Sequence, residues 1–182
     1  MSATSVRDTL QSISNRISDD MSEGEVETAF LNEDFFETFG YEGAGHDLRS
    51  KWSLPDNRRP DFATYSENQK VIAVYEFKEP EEDLADHRDQ VEDYSTTLGA
   101  NYAVLTNGVE ICTLRRDGDD HTPVAEPITL AEADESDGQT MATLLSKPDW
   151  DITEIDIIRE YLDSLEPVNL ETELGREDFF ET

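Results

Sequence analysis

Asp61, Glu76 and Lys78 are the residues of this chain best suited to chemistry. They lie in RPDFATYSENQKVIAVYEFK, residues 59–78. An Asp follows a Pro, a turn comes next, and a β-branched and aromatic run ends in Glu-Phe-Lys. Such a run favours a strand. Alternate strand residues share a face, so Glu76 and Lys78 point one way. Phe77 points the other way, with Val71, Ala73 and Tyr75. Two carboxylates and a lysine then converge at the ends of two neighbouring strands. Such a set suits Mg²⁺, which takes hard oxygen ligands and keeps water or phosphate in its other positions. A bound metal lowers the pKa of its water, and a nearby lysine orients that water or stabilises charge.

Several elements must position these residues. Residues 3–20 read as a polar helix with Val6, Leu10, Ile13 and Ile17 at helical spacing. Ser22 and Glu25 suggest a capping box. The helix it opens is expected to run to about Phe39, with Phe30, Leu31, Phe35, Phe36 and Phe39 as its apolar stripe and Gly40 as its stop. Glu27 lies one turn before Leu31, at the edge of that stripe. Residues 41–57 are glycine-rich, then partly β. His46, within them, reads as a loop or core-edge residue, and no His/Cys cluster has zinc-ligand spacing. Glu79-Pro80 ends the central strand, so Lys78 is expected at the strand end and partly exposed. Residues 82–98 read as a helix stopped by Gly99, with Gln90 and Tyr94 on one face. A buried strand, Asn101 to Thr106, enters an Asn-Gly turn and returns as Val109 to Arg116.

Pro60-Asp61 and Glu76-Phe77-Lys78 resemble the two halves of the PD-(D/E)xK nuclease signature. Gln90 and Tyr94, on the helix that follows, resemble a Gln-xxx-Tyr motif in the nuclease domains of type I restriction motor subunits and type IIG restriction-modification enzymes. Leu105-Thr106-Asn107-Gly108 before a second strand resembles the same domains. The four features stand in the family's order, over about residues 23–130. The resemblance implies a restriction-endonuclease-like α/β fold, with a mixed central sheet of about four or five strands flanked by helices. It also implies Mg²⁺-dependent hydrolysis of DNA phosphodiesters, with Mn²⁺ able to substitute, as the nuclease part of a restriction system. Asp61 and Glu76 would hold the metal, Phe77 would lend its backbone carbonyl, and Lys78 would position the attacking water. These nucleases often carry a Glu on the helix before the sheet, which implies Glu27, with Glu23 and Glu25 as alternates. Gln90 and Tyr94 would shape the site and contact DNA. Arg58 and Arg59, directly before the motif, read as phosphate contacts or as ordinary exposed charge. The alternative is a non-catalytic interaction or regulatory domain that keeps the nuclease fold. The complete acid-acid-lysine set argues against it.

The chain has 182 residues, with 44 Asp and Glu against 14 Lys and Arg, for a formal charge of −30. The acid excess resembles a haloarchaeal-type, salt-adapted surface. At molar salt the Debye length is about 3 Å, so self-repulsion is screened; at low salt it destabilises the compact state. Such a charge speaks against nucleic acid, but Arg49, Lys51, Arg58, Arg59, Lys70, Lys78 and Arg88 are half of all basic residues and gather around the motif. Cys112 is the one cysteine, so no intrachain disulfide can form. No apolar leader core or run of about 20 apolar residues is present, so a soluble, cytoplasmic protein without membrane contact is expected. Neither a Walker loop nor a Gly-x-Ser-x-Gly elbow occurs.

Three parts are expected: an N-terminal helix (1–22), the nuclease-like domain (23–130), and an extension of acidic loop and helix (131–182). A short strand is expected near Val124 to Leu130, the loop AEADESDGQT (131–140) is expected to be mobile, and 151–165 reads as an amphipathic helix. EDFFET occurs at 33–38 and again at 177–182, without a repeat period. The second copy lacks a helix stop, which fits a chain cut from a longer protein, one docked on a partner, or a short independent product with a frayed tail. No helix shows the basic, polar face that reads bases, so target choice is expected to need a methyltransferase, specificity or motor subunit or domain.

Overall fold

The computed structural model describes residues 3–54 and 58–148. Its central strand is β3, Val71–Phe77, buried along its whole length. A strand covered on both faces reads as a near-continuous apolar run, and VIAVYEF departs from that only at Glu76. β2 (Phe62–Tyr65) pairs antiparallel on one side of β3, and β4 (Tyr102–Thr106) pairs parallel on the other. A parallel neighbour requires a crossover, and α4 (Arg88–Leu98) supplies it. With β1 (Leu48–Ser50), β5 (Glu110–Asp117) and β6 (Asp120–Pro123), the order is β1-β2-β3-β4-β5-β6. β7 (Ile128–Thr129) also pairs with β5, making seven strands among the described residues where four or five were expected. The surplus comes from edge pieces of two to four residues, too short to show a period.

The two faces of the sheet carry different cores. On one, Val6, Leu10 and Ile13 of α1 (Ala3–Ser14) and Phe30 of α2 (Glu23–Asn32) join Phe35, Phe36 and Phe39 against Ala73, Tyr75 and Phe77. On the other, Val91 and Tyr94 of α4 pack on Val74, Ala103, Leu105 and Leu114. Val71 belongs to this second cluster, not with Ala73 as strict alternation predicts. A register shift between Thr64 and Tyr65 moves it across.

The expected helix to Phe39 is broken. α2 ends at Asn32, Asp34 turns left-handed (φ 53°), and α3 (Phe35–Thr38) starts afresh. The break turns Phe35, Phe36 and Phe39 onto the sheet and leaves Leu31 43% exposed. Gly40 ends α3 at φ 88°, and Gly99 ends α4 at φ 69°. α1 stops at Ser14, short of residue 20, and Ile17 packs against the core from the turn beyond. The segment 131–140 is not a mobile loop. Asp134 accepts from Ser136 N and Asp137 N at 2.7 and 3.0 Å, Asp137 returns the bond, and α5 (Glu135–Leu145) begins. Its acids sit at a helix N-terminus, where negative charge is favourable. The helix expected at 151–165 and the second EDFFET copy lie outside the described residues. No described helix is long and apolar enough to cross a membrane.

Candidate active site

Glu76 comes from the α4 side of β3, and Lys78 follows directly after the strand. The Lys78 ammonium donates to Glu76 Oε1 at 2.8 Å, as two residues on one face of a strand allow. Gln90 of α4 donates to the same oxygen at 2.6 Å, and its amide lies 3.1 Å from the Tyr94 hydroxyl. One helical turn thus braces the acid. Glu76 is 4% exposed, and its Oε2 meets no hydrogen-bond partner among the described residues. Burial, then the charge of Asp61, push the Glu76 carboxyl up to about 7, against the pull of Lys78. Lys78 is buried rather than partly exposed. Burial disfavours its charge, but the hydrogen bond and charge of Glu76 prevail and raise its pKa.

Asp61 lies just before β2 and is also buried. Its Oδ2 accepts from the Phe77 amide at 2.7 Å, which ties the two halves of the signature together. Its Oδ1 holds the Lys51 ammonium, which also donates to Glu27 Oε1 at 2.6 Å. Oxygens of Glu23, Glu27 and Asp61 lie within 4.8 Å of one another. Glu23 and Glu27 are one turn apart on α2 and share a face. Glu25 faces elsewhere, and its carboxylate accepts from Ser22 N at 2.9 Å in the capping box. Of the three helix acids, Glu27 and Glu23 join the group and Glu25 does not. Glu23 also reaches Lys78, at 3.5 Å. Burial raises the pKa of Glu27, with Lys51 opposing.

The Leu-Thr-Asn-Gly turn fixes the lysine end. Lys78 N donates to Thr106 O at 2.9 Å. The Asn107 side-chain amide donates to Glu82 O at 3.0 Å, and its Oδ1 accepts from Val109 N and Glu110 N at 3.0 and 2.9 Å. One side chain therefore closes its own turn and anchors the loop after Lys78. Gly108 has φ 82°, which favours glycine, and a Cβ there would also press on Ile17 Cδ1 at 2.7 Å.

Phe77 contributes its amide to Asp61 and its ring to the core. Arg58 is ion-paired with Asp93 and lies over the Tyr94 ring, 5.8 Å from its centroid. Arg59 is exposed. His46 is an exposed loop residue beside Glu42, and Cys112 is half-buried in β5. Lys51 is the residue that sequence reasoning missed, having been counted only among the local basic charges. The signal was register. Ser50 pairs with Phe62, and Lys51 N donates to Asp61 O at 2.8 Å, so Lys51 faces Asp61 across β1 and β2.

The grouped carboxylates of Glu23, Glu27 and Asp61 and the buried unpartnered Glu76 oxygen form an oxygen donor set that fits a hard divalent cation. The fold is of the restriction-enzyme nuclease type. In the solved structures, the chain is similar to DrdV in a cryo-electron microscopy DrdV–DNA complex. That match has 14% identity and a TM-score of 0.57 over 89% of this chain and 15% of that one. A second match is a fragment assigned as an HsdR subunit of a type I restriction enzyme from Vibrio vulnificus YJ016, with 18% identity and a TM-score of 0.46 over 62% of this chain and 24% of that one. The family described as type I restriction enzyme R protein N terminus matches residues 35–128, and the chain belongs to it. No curated protein sequence matches the chain. The chain thus spans 15% and 24% of the two structural relatives' lengths.

Proposed function

We propose that this chain is the Mg²⁺-dependent DNA endonuclease domain of a type I or type IIG-like restriction system. The observation that carries this reading is the convergence of Asp61, Glu76 and Lys78. The Phe77 amide holds Asp61 at 2.7 Å, and the residues on either side of Phe77 form a 2.8 Å ion pair. Asp61, Glu76 and Glu27 would hold the ion, with the Phe77 carbonyl completing the set and Mn²⁺ able to substitute. Glu23 is the further carboxylate within reach. When bound, the ion would acidify a water and offset charge on the phosphate.

The rest of the chemistry belongs to side chains. Lys78 keeps its proton, since its pKa is raised. It therefore orients the attacking water and stabilises the phosphate as a donor, and does not act as a base. Gln90 and Tyr94 hold Glu76 in its rotamer and border the DNA path. Arg58 and Arg59 contact phosphates, which position a duplex without reading it. The nuclease-like domain is taken as residues 23–130, between an N-terminal helix and a C-terminal extension. It would act in the cytoplasm and at high salt; the charge of −30 supports the salt setting. Target choice comes from a methyltransferase, specificity or motor subunit or domain. The similarity to DrdV, whose structure was solved in complex with DNA, supports DNA as the substrate class.

The test is conversion of supercoiled plasmid to nicked or linear DNA in molar KCl, with Mg²⁺ and with EDTA. Cleavage that requires Mg²⁺ and Lys78 is expected. Cleavage at wild-type rate by Lys78→Ala would overturn the assignment.

A further inference from the structure

We propose that Lys51 is a resident counter-cation of the acidic site, holding Glu27 and Asp61 together until a divalent ion replaces it. The inference rests on the metal reading above and adds a residue to it. Three carboxylates have oxygens within 4.8 Å of one another, and like charges at that range repel. Lys51 answers this directly. Its ammonium donates to Glu27 Oε1 at 2.6 Å and bonds Asp61 Oδ1. It therefore covers two of the oxygens that a metal ion would need.

Lys51 is also built to leave. Its side chain is 46% exposed, while that of Lys78 is 8% exposed. The residue sits past the end of β1 in a left-handed conformation, φ 48°. The backbone bond from Lys51 N to Asp61 O, 2.8 Å, is independent of the side chain. The ammonium can swing into water while the backbone stays in place. Lys78 has no such exit, since its ammonium is buried between Glu76, at 2.8 Å, and Glu23, at 3.5 Å. The two lysines then divide the work: one keeps the empty site folded, and the other remains for the reaction.

The test is Mn²⁺ binding to the full chain in molar KCl, by titration calorimetry. Lys51→Met is expected to bind about tenfold more tightly than wild type, because no ammonium has to be displaced. Arg49→Met removes the same charge two residues away, from a guanidinium stacked 4.9 Å over the Trp52 ring. It is expected to bind within about twofold of wild type, because salt screens a charge that touches no ligand. Equal affinity for wild type and Lys51→Met, with binding still lost in Asp61→Ala, would overturn the counter-cation and leave the metal reading standing. Equal tightening in Arg49→Met would overturn it too. Absence of any Asp61-dependent binding would remove both readings. Lys51→Met can also unfold the metal-free chain, so wild type supplies a second readout. Acetylation of Lys51, followed by mass spectrometry, is expected to speed up several-fold on adding Mg²⁺, as the ammonium is released. An unchanged or slower rate would overturn the proposal.

Discussion

Lys78 and Lys51 each sit against a buried carboxylate, and the chain holds them in opposite ways. Lys78 pairs with Glu76, two residues away on one strand, and is enclosed by α4, β4 and the Asn107 turn. Lys51 pairs with Asp61, ten residues away across two strands, and with Glu27 on a helix. One half of the site is thus local and rigid, and the other is assembled over distance and open to water. A locally encoded pair keeps its geometry as long as its strand exists. A pair assembled over distance can release one member without disturbing the backbone.

The largest expected difference between the two halves is in cleavage. Lys78→Ala should abolish it, and Lys51→Met should leave it within about tenfold of wild type, since only Lys78 faces the reaction in this scheme. Asp61→Ala and Glu76→Ala should also abolish it, and each should weaken metal binding. Supercoiled plasmid assays compare all four. Burial of Lys78 gives its loss a stability cost of about 1–3 kcal/mol, because Glu76 keeps no counter-charge and must take up a proton. Wild-type cleavage by Lys78→Ala, or complete loss in Lys51→Met, would break the contrast.

The contrast extends from the site to the surface. Inside, each buried acid has a lysine; over the whole chain, 44 acids face 14 Lys and Arg. Surface repulsion should therefore dominate the response to salt. The melting temperature, followed by circular dichroism, is expected to be far higher in molar KCl than in dilute buffer. Equal values would mean that the acids are balanced in some way other than screening.

Legibility in the sequence follows the same division. Glu76 and Lys78 were readable because strand alternation is local, and Gln90 and Tyr94 because one helical turn separates them. Asn107-Gly108 was readable from turn chemistry. Lys51 was hidden because β1 has three residues and its register with β2 crosses a long connection. Glu25 was kept as an alternate to Glu27 although its spacing from Ser22 already suggested a capping box, and that box holds its carboxylate. Lys78 was expected to be partly exposed because it stands at a strand end, but the buried Glu76 carboxylate draws it in. The acids of 131–140 were read by composition, although Asp134 and Asp137 were already spaced as a cap. The family match begins at residue 35, so Glu23 and Glu27 lie outside it and rest on geometry alone.

A smaller effect separates the halves through the turn. Gly108→Ala would force a Cβ to within 2.9 Å of Ile17 Cγ1 at a φ of 82°. The expected loss is about 1–3 kcal/mol, since the Ile17 side chain can yield but the backbone strain remains. The damage should concentrate on the Lys78 half, which hangs on Thr106 and Asn107. Hydrogen exchange should show faster opening at the Lys78 amide, bonded to Thr106 O, than at the Lys51 amide, bonded to Asp61 O. Equal acceleration at both would show that the halves open together.

The smallest expected effect is a pH slope, and its sign follows from Glu76. In the folded, metal-free chain its carboxyl is pushed up to about 7, while an unfolded Glu titrates at about 4.3. Between these values the folded chain holds a proton that the unfolded chain has released. Stability must then fall as pH rises through that window, and the loss is complete above the folded value. Glu76→Gln removes the titrating group but keeps an oxygen for Lys78 and Gln90. Measured in EDTA and molar KCl, its melting temperature relative to wild type should therefore climb from pH 5 to pH 8. Mg²⁺ should cancel that climb by favouring the ionised wild-type carboxylate, which the amide cannot imitate. A flat difference in EDTA would mean that Lys78 already holds Glu76 ionised. The 2.8 Å pair would then be a full salt bridge, and the rigid half would carry as much charge as the open one.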